Sequence, residues 1–581
     1  MVPTGSSTCQ TLSVCAGGAD EVKTVISYGP QSAGVANNLL PVAASTGSGD
    51  GVLTASASVT YDIIGNRITV DGPLAGAADT ARVRYNAVRQ VIGAVGADPD
   101  GAGALKHRAQ RVAYNVDGQP TLTEVGTVAS QSDADWAGFV SLQQSSSVYD
   151  SNARLSRESV TASGTTYSVV DYSYDGLGRL DCAAQRLNPA AWGVVTAACS
   201  AQGAGAAGPD RISKTLYDAA SQVTQVQSAL GTGVQQNVTQ TFNPNGTQAT
   251  LTDGKGNKTT FIYDGFDRAM ETHYPLPNAP GQSSNTDYEG VARDANGNIT
   301  ARRLRAGHIL TYTYDNLNRL VSKDIPNLVF YDFDKSYQYD LLGRLTRTED
   351  SSGHYAAITY DGLGRQASET GNFSTRFFNY DLAGRRTLLT YGDGFYVTYD
   401  YLVTGETLAI RENGGAALGT YAYDDLGRRT SLTRGNGTVT SYAYDPASRL
   451  TNFSHDFAGT LQDVTSSFTY NAASQIGSRT RSNDLYAWNG AVAVIRPYTS
   501  NGLNQHVTSG ATALGYDGNG NLTSAGSDAY SYTLENRLAS GPNSALFTYD
   551  PFGRLTYQIT GPSLNVWQHD GDRMIDRKSV V

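Results

Sequence analysis

A seven-residue phrase, Tyr-Asp-x-x-Gly-Arg-Leu in its fullest form, recurs along most of this 581-residue chain, and a regular repeat constrains a fold more than any other sequence feature. Clear copies begin at Tyr174 (with Asp175, Gly178 and Arg179), Tyr339 (Asp340, Gly343, Arg344), Tyr360 (Asp361, Gly364, Arg365), Tyr380 (Asp381, Gly384, Arg385), Tyr423 (Asp424, Gly427, Arg428) and Tyr549 (Asp550, Gly553, Arg554). Tyr314-Asp315 keeps Arg319 but has Asn in the glycine position, and Tyr444 opens YDPASRL. Weaker copies in the same frame begin at Tyr61, Tyr217, Tyr263, Tyr470 and Tyr516. From Tyr339 to Tyr360 is 21 residues, from Tyr360 to Tyr380 is 20 and from Tyr423 to Tyr444 is 21, a length that suits one two-stranded unit per copy.

Each unit spells out a hairpin. Asp in second place accepts backbone N–H bonds a few residues on, and Gly in fifth place tolerates positive φ, so Asp-x-x-Gly reads as a tight turn that Leu or Val follows into a strand. A second turn stands about midway, at Asn436-Gly437, Asp393-Gly394, Asp253-Gly254 or Asn413-Gly414, dipeptides suited to two-residue hairpin loops. The returning strand places aromatic residues two apart, as in Tyr172 and Tyr174, Tyr312 and Tyr314, or Phe468 and Tyr470, which puts both rings on one face. Adjacent hairpins are expected to align ring against ring, at roughly 0.2–1 kcal/mol per cross-strand pair. The planar fork of Arg in sixth place suits a carboxylate, the Asp of its own or a neighbouring turn, and the alternative is a solvated Arg. Such units bury no core alone, so they stack into a long twisted sheet, and the fold class is all-β: stacked hairpins that spiral into part of a hollow shell or barrel.

Composition agrees. Tyr occurs 36 times and Gly 63 times while charged residues are 17%, a balance that favours strands and turns. Net charge is −10 with no Lys/Arg run, which argues against a nucleic-acid partner. No stretch approaches the roughly 20 apolar residues of a membrane span, and no signal peptide is visible after Met1. Residues 1–50, rich in Gly, Ser, Ala and Thr, read as an irregular segment with a possible decayed repeat at Val22 to Tyr28. Residues 51–581 read as the repeat array, decayed to about 173 and clear from 174 to 555. Cys9, Cys15, Cys182 and Cys199 are read either as two disulfides, Cys9 with Cys15 and Cys182 with Cys199, or as unpaired small hydrophobes.

The phrases YDGLGRL, YDLLGRL and YDPFGRL, with the preceding Tyr-x-Tyr, resemble the YD repeat of the RHS family, which includes teneurin shells and bacterial toxin cocoons. The resemblance runs from about Tyr61 to the C-terminus. It implies a non-enzymatic scaffold, part of a shell that encloses a C-terminal toxin for delivery into a competitor or host, with an enclosed toxin domain or a secretion-apparatus protein as partner. It also implies a bacterial protein that is secreted or held at the cell surface. The family's shell ends in an Asp-Pro-x-Gly-Leu core; here Asp550-Pro551-Phe552-Gly553 is followed by Arg554, so the chain reads as a partial member. The alternative function is an adhesion scaffold that binds carbohydrate or protein, its tyrosines stacking on sugars.

No residues are assigned to catalysis, a metal or a cofactor. The seven histidines stand singly, and no G-x-S-x-G elbow follows a strand. Asp294-x-Asn296-x-Asn298 and Asp517-x-Asn519-x-Asn521 imitate the start of a calcium loop, but Ile299 and Leu522 occupy the place of its glycine. Asp98-Pro99-Asp100-Gly101 reads as an acidic turn.

Overall fold

The computed structural model describes residues 4–9, 15, 17–19, 21–29, 38–76, 78–194, 196–326, 332–372, 374–457, 459, 461–485, 487–488, 490 and 492–580. Strands take up 54% of the chain and helix 1%, which makes it all-β. Among the described residues 37 strands, from Gly5–Cys9 to Ile476–Arg481, form one antiparallel sheet in which each strand pairs with its neighbour in sequence. Those two strands pair on one side only, so the sheet is unclosed. Five short strands from Tyr498–Ser500 to Asp528–Ala529 and six from Ser531–Tyr532 to Arg573–Val580 follow as separate sheets. The segment expected to be irregular carries the strands Gly5–Cys9, Glu21–Gly29 and Leu40–Ser48, whose partners are one another and Thr54–Tyr61. Long-range pairing there overrides a weak local signal.

The turn after each tyrosine has one geometry. In the unit at Tyr174, the Asp175 amide donates to the Arg179 carbonyl (2.9 Å) and the Gly178 amide to the Asp175 carbonyl (3.0 Å). Gly178 has φ +82°, and the same fifth place is left-handed when the residue is Asn318 (+60°), Ser448 (+65°) or Ala153 (+61°). A register shift falls between Ser173 and Tyr174, so Asp181 of the partner strand is the extra residue of a bulge and the tyrosine faces Leu180. Of the mid-unit dipeptides, Asn413-Gly414 forms the two-residue loop, both residues at positive φ and the Gly415 amide donating to the Glu412 carbonyl (2.8 Å). Asn436-Gly437 and Asp393-Gly394 instead close as the tyrosine turns do, with the left-handed glycine fourth. Asp253-Gly254 differs more. Asp253 opens an Asp-x-x-Gly-Asn turn with Gly256 at +87°, so Thr252-Asp253 stands in for Tyr-Asp.

Each unit of the large sheet supplies two strands, so the tyrosine turns within it fall on one rim and the intervening loops on the other. Two compact units divide the chain. In the unit made of residues 1–214, 360–367 and 376–489, late tyrosine turns seat on early loops. A Cβ built on Gly362 meets Ser48, the Val403 amide donates to the Pro99 carbonyl (2.8 Å), Asp425 accepts from the Lys106 amide (3.1 Å) and Gln185 donates to the Ala472 carbonyl (3.2 Å). Its core includes Val95, Ala109 and Val128 under Trp136 and Phe139. Arg186, fully buried, is paired with Asp171 and Asp210. In the unit made of residues 215–359, 368–375 and 490–581, Leu304, Leu310, Ile325 and Leu534 pack with Tyr312. There the Gly502 amide donates to the Pro277 carbonyl (2.8 Å) and the Leu534 amide to Asp332 (2.8 Å). Cys9 pairs with Cys15 and Cys182 with Cys199, Cα atoms 5.4 and 5.3 Å apart, so the disulfide alternative holds for both.

Gly384 has φ +82° and open space around its missing Cβ, so Gly384→Ala isolates the backbone cost of the turn, about 1 kcal/mol. Its thermal midpoint should fall below that of the parent, whereas Ala153→Gly, relieving the same conformation without removing a side-chain bond, should not lower it.

Candidate functional site

The chemistry of the repeat is concentrated in one carboxylate per turn. Asp175 Oδ1 accepts the backbone amides of Leu177 (2.9 Å) and Arg179 (3.0 Å), while Oδ2 accepts Nε (2.7 Å) and Nη2 (2.7 Å) of Arg179. Both oxygens are thereby filled from within the turn. The same arginine fork closes on Asp150, Asp264, Asp315, Asp340, Asp361, Asp381, Asp424, Asp445 and Asp550 of its own turn. The solvated-arginine alternative does not apply to these turns. Where Asn replaces Arg, an amide takes its place: Nδ2 of Asn298 donates to Asp294 Oδ2 (2.9 Å), and Asn521 does so to Asp517 (2.9 Å).

The arginine then reaches forward. Arg319 Nη1 donates to the Asp340 carbonyl (3.0 Å) of the next turn, and its guanidinium lies 4.8 Å from the ring centre of Tyr339. Equivalent stacking joins Arg154 to Tyr174, Arg365 to Tyr380, Arg385 to Tyr401, Arg428 to Tyr444 and Arg449 to Tyr470, at 4.5–5.1 Å. The tyrosine reaches back. Its hydroxyl donates to the carbonyl of the residue after the preceding arginine, Tyr174 to Leu155 (2.8 Å), Tyr339 to Leu320 (2.9 Å), Tyr444 to Arg429 (2.9 Å) and Tyr470 to Leu450 (2.6 Å). These rings therefore meet guanidinium groups, where ring-on-ring contact was expected. The bulge turns the second aromatic toward the preceding turn, and a cation over a ring face contributes about 0.5–1 kcal/mol at such partly exposed sites. The inner aromatic does find a ring in Tyr442 with Phe453, 5.4 Å apart.

Electrostatics follow the same geometry. Asp175 and Asp315 lie below the ordinary carboxylate range, first because the amides of Arg179 and Arg319 donate to them, then through the guanidinium bonds. Burial raises the Tyr339 and Tyr444 phenols. Glu535 is opposed by burial yet held at about 2 by Lys335 and Lys323, and Arg537 Nη1 adds a 2.6 Å bond. The cavity beside it, about 20 Å³ between Lys335, Asp350, Glu535 and Tyr549, has room for about one water. A wider depression of about 450 Å³ is bordered by Tyr401, Tyr421, Tyr423, Leu402 and Leu408.

Beyond the copies named from the sequence, turns of the same geometry follow Tyr149, Phe242, Tyr401, Ser500 and Tyr532. Tyr149-Asp150 and Arg154-Leu155 frame a full copy whose glycine is Ala153, legible from its other four fixed positions. Tyr532-Thr533 and Arg537-Leu538 frame another, in which Thr533 Oγ1 accepts the Arg537 amide (3.2 Å) and Glu535 takes the arginine. The calcium-like runs are turns of the same kind, their aspartates accepting from Asn298 and Asn521. Asp181, Cys182 and Cys199 cluster closely, but Cys182 and Cys199 are joined to each other and offer no thiolate.

The RHS Repeat family model matches residues 293–327 and 423–461, two stretches that each contain consecutive turns of this kind. No curated protein sequence matches the chain. The crystal structure of TcdB2-TccC3-Cdc42 is similar over 96% of this chain, at 12% identity and a TM-score of 0.58. That of TcdB2-TccC3 without its hypervariable C-terminal region is similar over 95%, at 14% identity and the same TM-score. The chain covers 31% and 32% of those chains, so it spans about a third of their length.

A double-mutant cycle on Asp361→Ala and Arg365→Ala should show coupling of roughly 1 kcal/mol in denaturant unfolding; additivity would remove the fork as a stabilising element. Because the shifted turn aspartates have folded pKa values below the unfolded 3.8, their contribution is complete above about pH 4 and is lost as pH falls through the folded values. The thermal midpoint should accordingly hold from neutral pH to about pH 5 and drop in more acid buffer.

Proposed function

We propose a function from the premise that this chain belongs to the RHS/YD-repeat family: it is a section of a sheet-built wall that encloses a C-terminal toxin domain for delivery into another cell. The observation that carries this reading is the succession of 37 strands among the described residues in which neighbouring turns bond to one another, as at Arg319 and Tyr339, with late turns seated on early loops inside one compact unit. Such a sheet gains area with every unit and dedicates its charges to its own turns, which suits a wall better than a catalyst. The fold likeness to TcdB2-TccC3 chains, one of them solved without a hypervariable C-terminal region, supports a variable cargo carried behind the repeats. In this reading the protein acts outside the cell that makes it, the wall itself does no chemistry, and the repeats of residues 51–581 continue a sheet whose first strands lie before residue 50. Sugar binding through the repeat tyrosines has less support, because rings such as Tyr339 are covered by an arginine and their hydroxyls are spent on carbonyls.

The natural polypeptide tests this. Its reading frame should extend past Val581 into a domain without the repeat, and added protease should spare that domain until the array is unfolded. A frame without such a domain, or one digested equally fast before and after unfolding, overturns the proposal.

A further inference from the structure

The two rims of the sheet are unlike each other, and within the unit of residues 1–214, 360–367 and 376–489 they fit together. Turns at 361–365, 402–406, 424–428 and 471–475 sit on loops at 48, 99–106 and 185, through the Gly362, Val403, Asp425 and Ala472 contacts described above. That contact uses the early loops and the late turns. It leaves over the early turns and the late loops of the same unit.

The leftover early turns carry apolar residues into solvent. Ile63 and Val116 are fully exposed, at 103% and 102%, and Val88 and Leu177 are 72% and 75% exposed. All four occupy the third or fourth place of their turns, the place taken by Gly362, Val403, Asp425 and Ala472 where a turn is seated. The late loops are exposed as well: residues 412–416 and 434–437 lie in water, and Leu461 is 95% exposed. Four turns of this rim carry a large apolar side chain and only the turn after Tyr149, with Ser151 and Asn152, interrupts them, a repetition that suits an interaction surface. The chain itself shows what covers such a rim, namely the loop rim of a like sheet.

We propose that the early turn rim, at Ile63, Val88, Val116 and Leu177, binds the late loop rim, about Leu461, of a second copy of this chain. The contact repeats between molecules the seat that the chain already makes within one compact unit. Because the two surfaces differ, the association is head-to-tail and does not close at two copies, so it continues as concentration rises. The inference is independent of what the wall encloses.

Sedimentation velocity on the full chain tests it. The weight-average mass should at least double as concentration is raised about a hundredfold, by mass action. Ile63→Asp with Val116→Asp, and separately Leu461→Asp, should each hold the chain at the monomer mass, with unchanged circular dichroism because all three side chains lie in solvent. Each variant keeps one intact rim, so mixing the two should restore a dimer that grows no further. A parent chain that stays monomeric throughout overturns the proposal, and association that survives both variants overturns its location.

Discussion

A buried or half-buried carboxylate must be given hydrogen-bond donors, and the arrangement of this protein follows from how each turn supplies them to its aspartate. Two backbone amides and one guanidinium edge fill Asp175, and that is possible only if the fifth residue is left-handed and the sixth is long enough to fold back. Once folded back, the arginine has its flat face and one remaining nitrogen directed at the next unit. A local need for donors thus fixes a non-local neighbour, and the sheet is assembled from contacts of one kind.

That economy explains what was legible in the sequence. Asp, Gly and Arg act within seven residues, so their spacing discloses the turn, and YDGLGRL can be read as strand, turn and strand. Tolerance to replacement was less legible. Ser448 and Asn318 accept the left-handed conformation, Asn298 replaces an arginine, and Glu535 serves an arginine whose aspartate has become Thr533. Each keeps a donor facing an acceptor while breaking the phrase. The partner of each tyrosine was illegible for another reason. Alternation places Tyr172 and Tyr174 on one face, but the register shift before Tyr174 is a property of paired strands and sends the outer ring to Arg154. The strands before residue 50 were hidden likewise, since their evidence is their partners.

Charge is handled the same way throughout. The aspartates and arginines of the turns cancel locally, and the deeper ions, Arg186 between Asp171 and Asp210 or Glu535 among three cations, are matched by charges from outside their own turn as well. Breaking one of these deeper pairs strands a buried charge, which is costlier than losing a turn fork at the surface. The regular units are therefore the more forgiving part of the chain.

The links between units also have a direction. Tyrosine hydroxyls such as that of Tyr339 close a carbonyl of the unit made before, and arginines such as Arg319 donate to a carbonyl of the unit made after. A chain leaving the ribosome from its N-terminus therefore finishes each unit only when the following one emerges, and its growing end stays unfinished by one hairpin. Construction of the sheet is a vectorial process with a one-unit delay, set by residues five places apart in the phrase from which the fold was read.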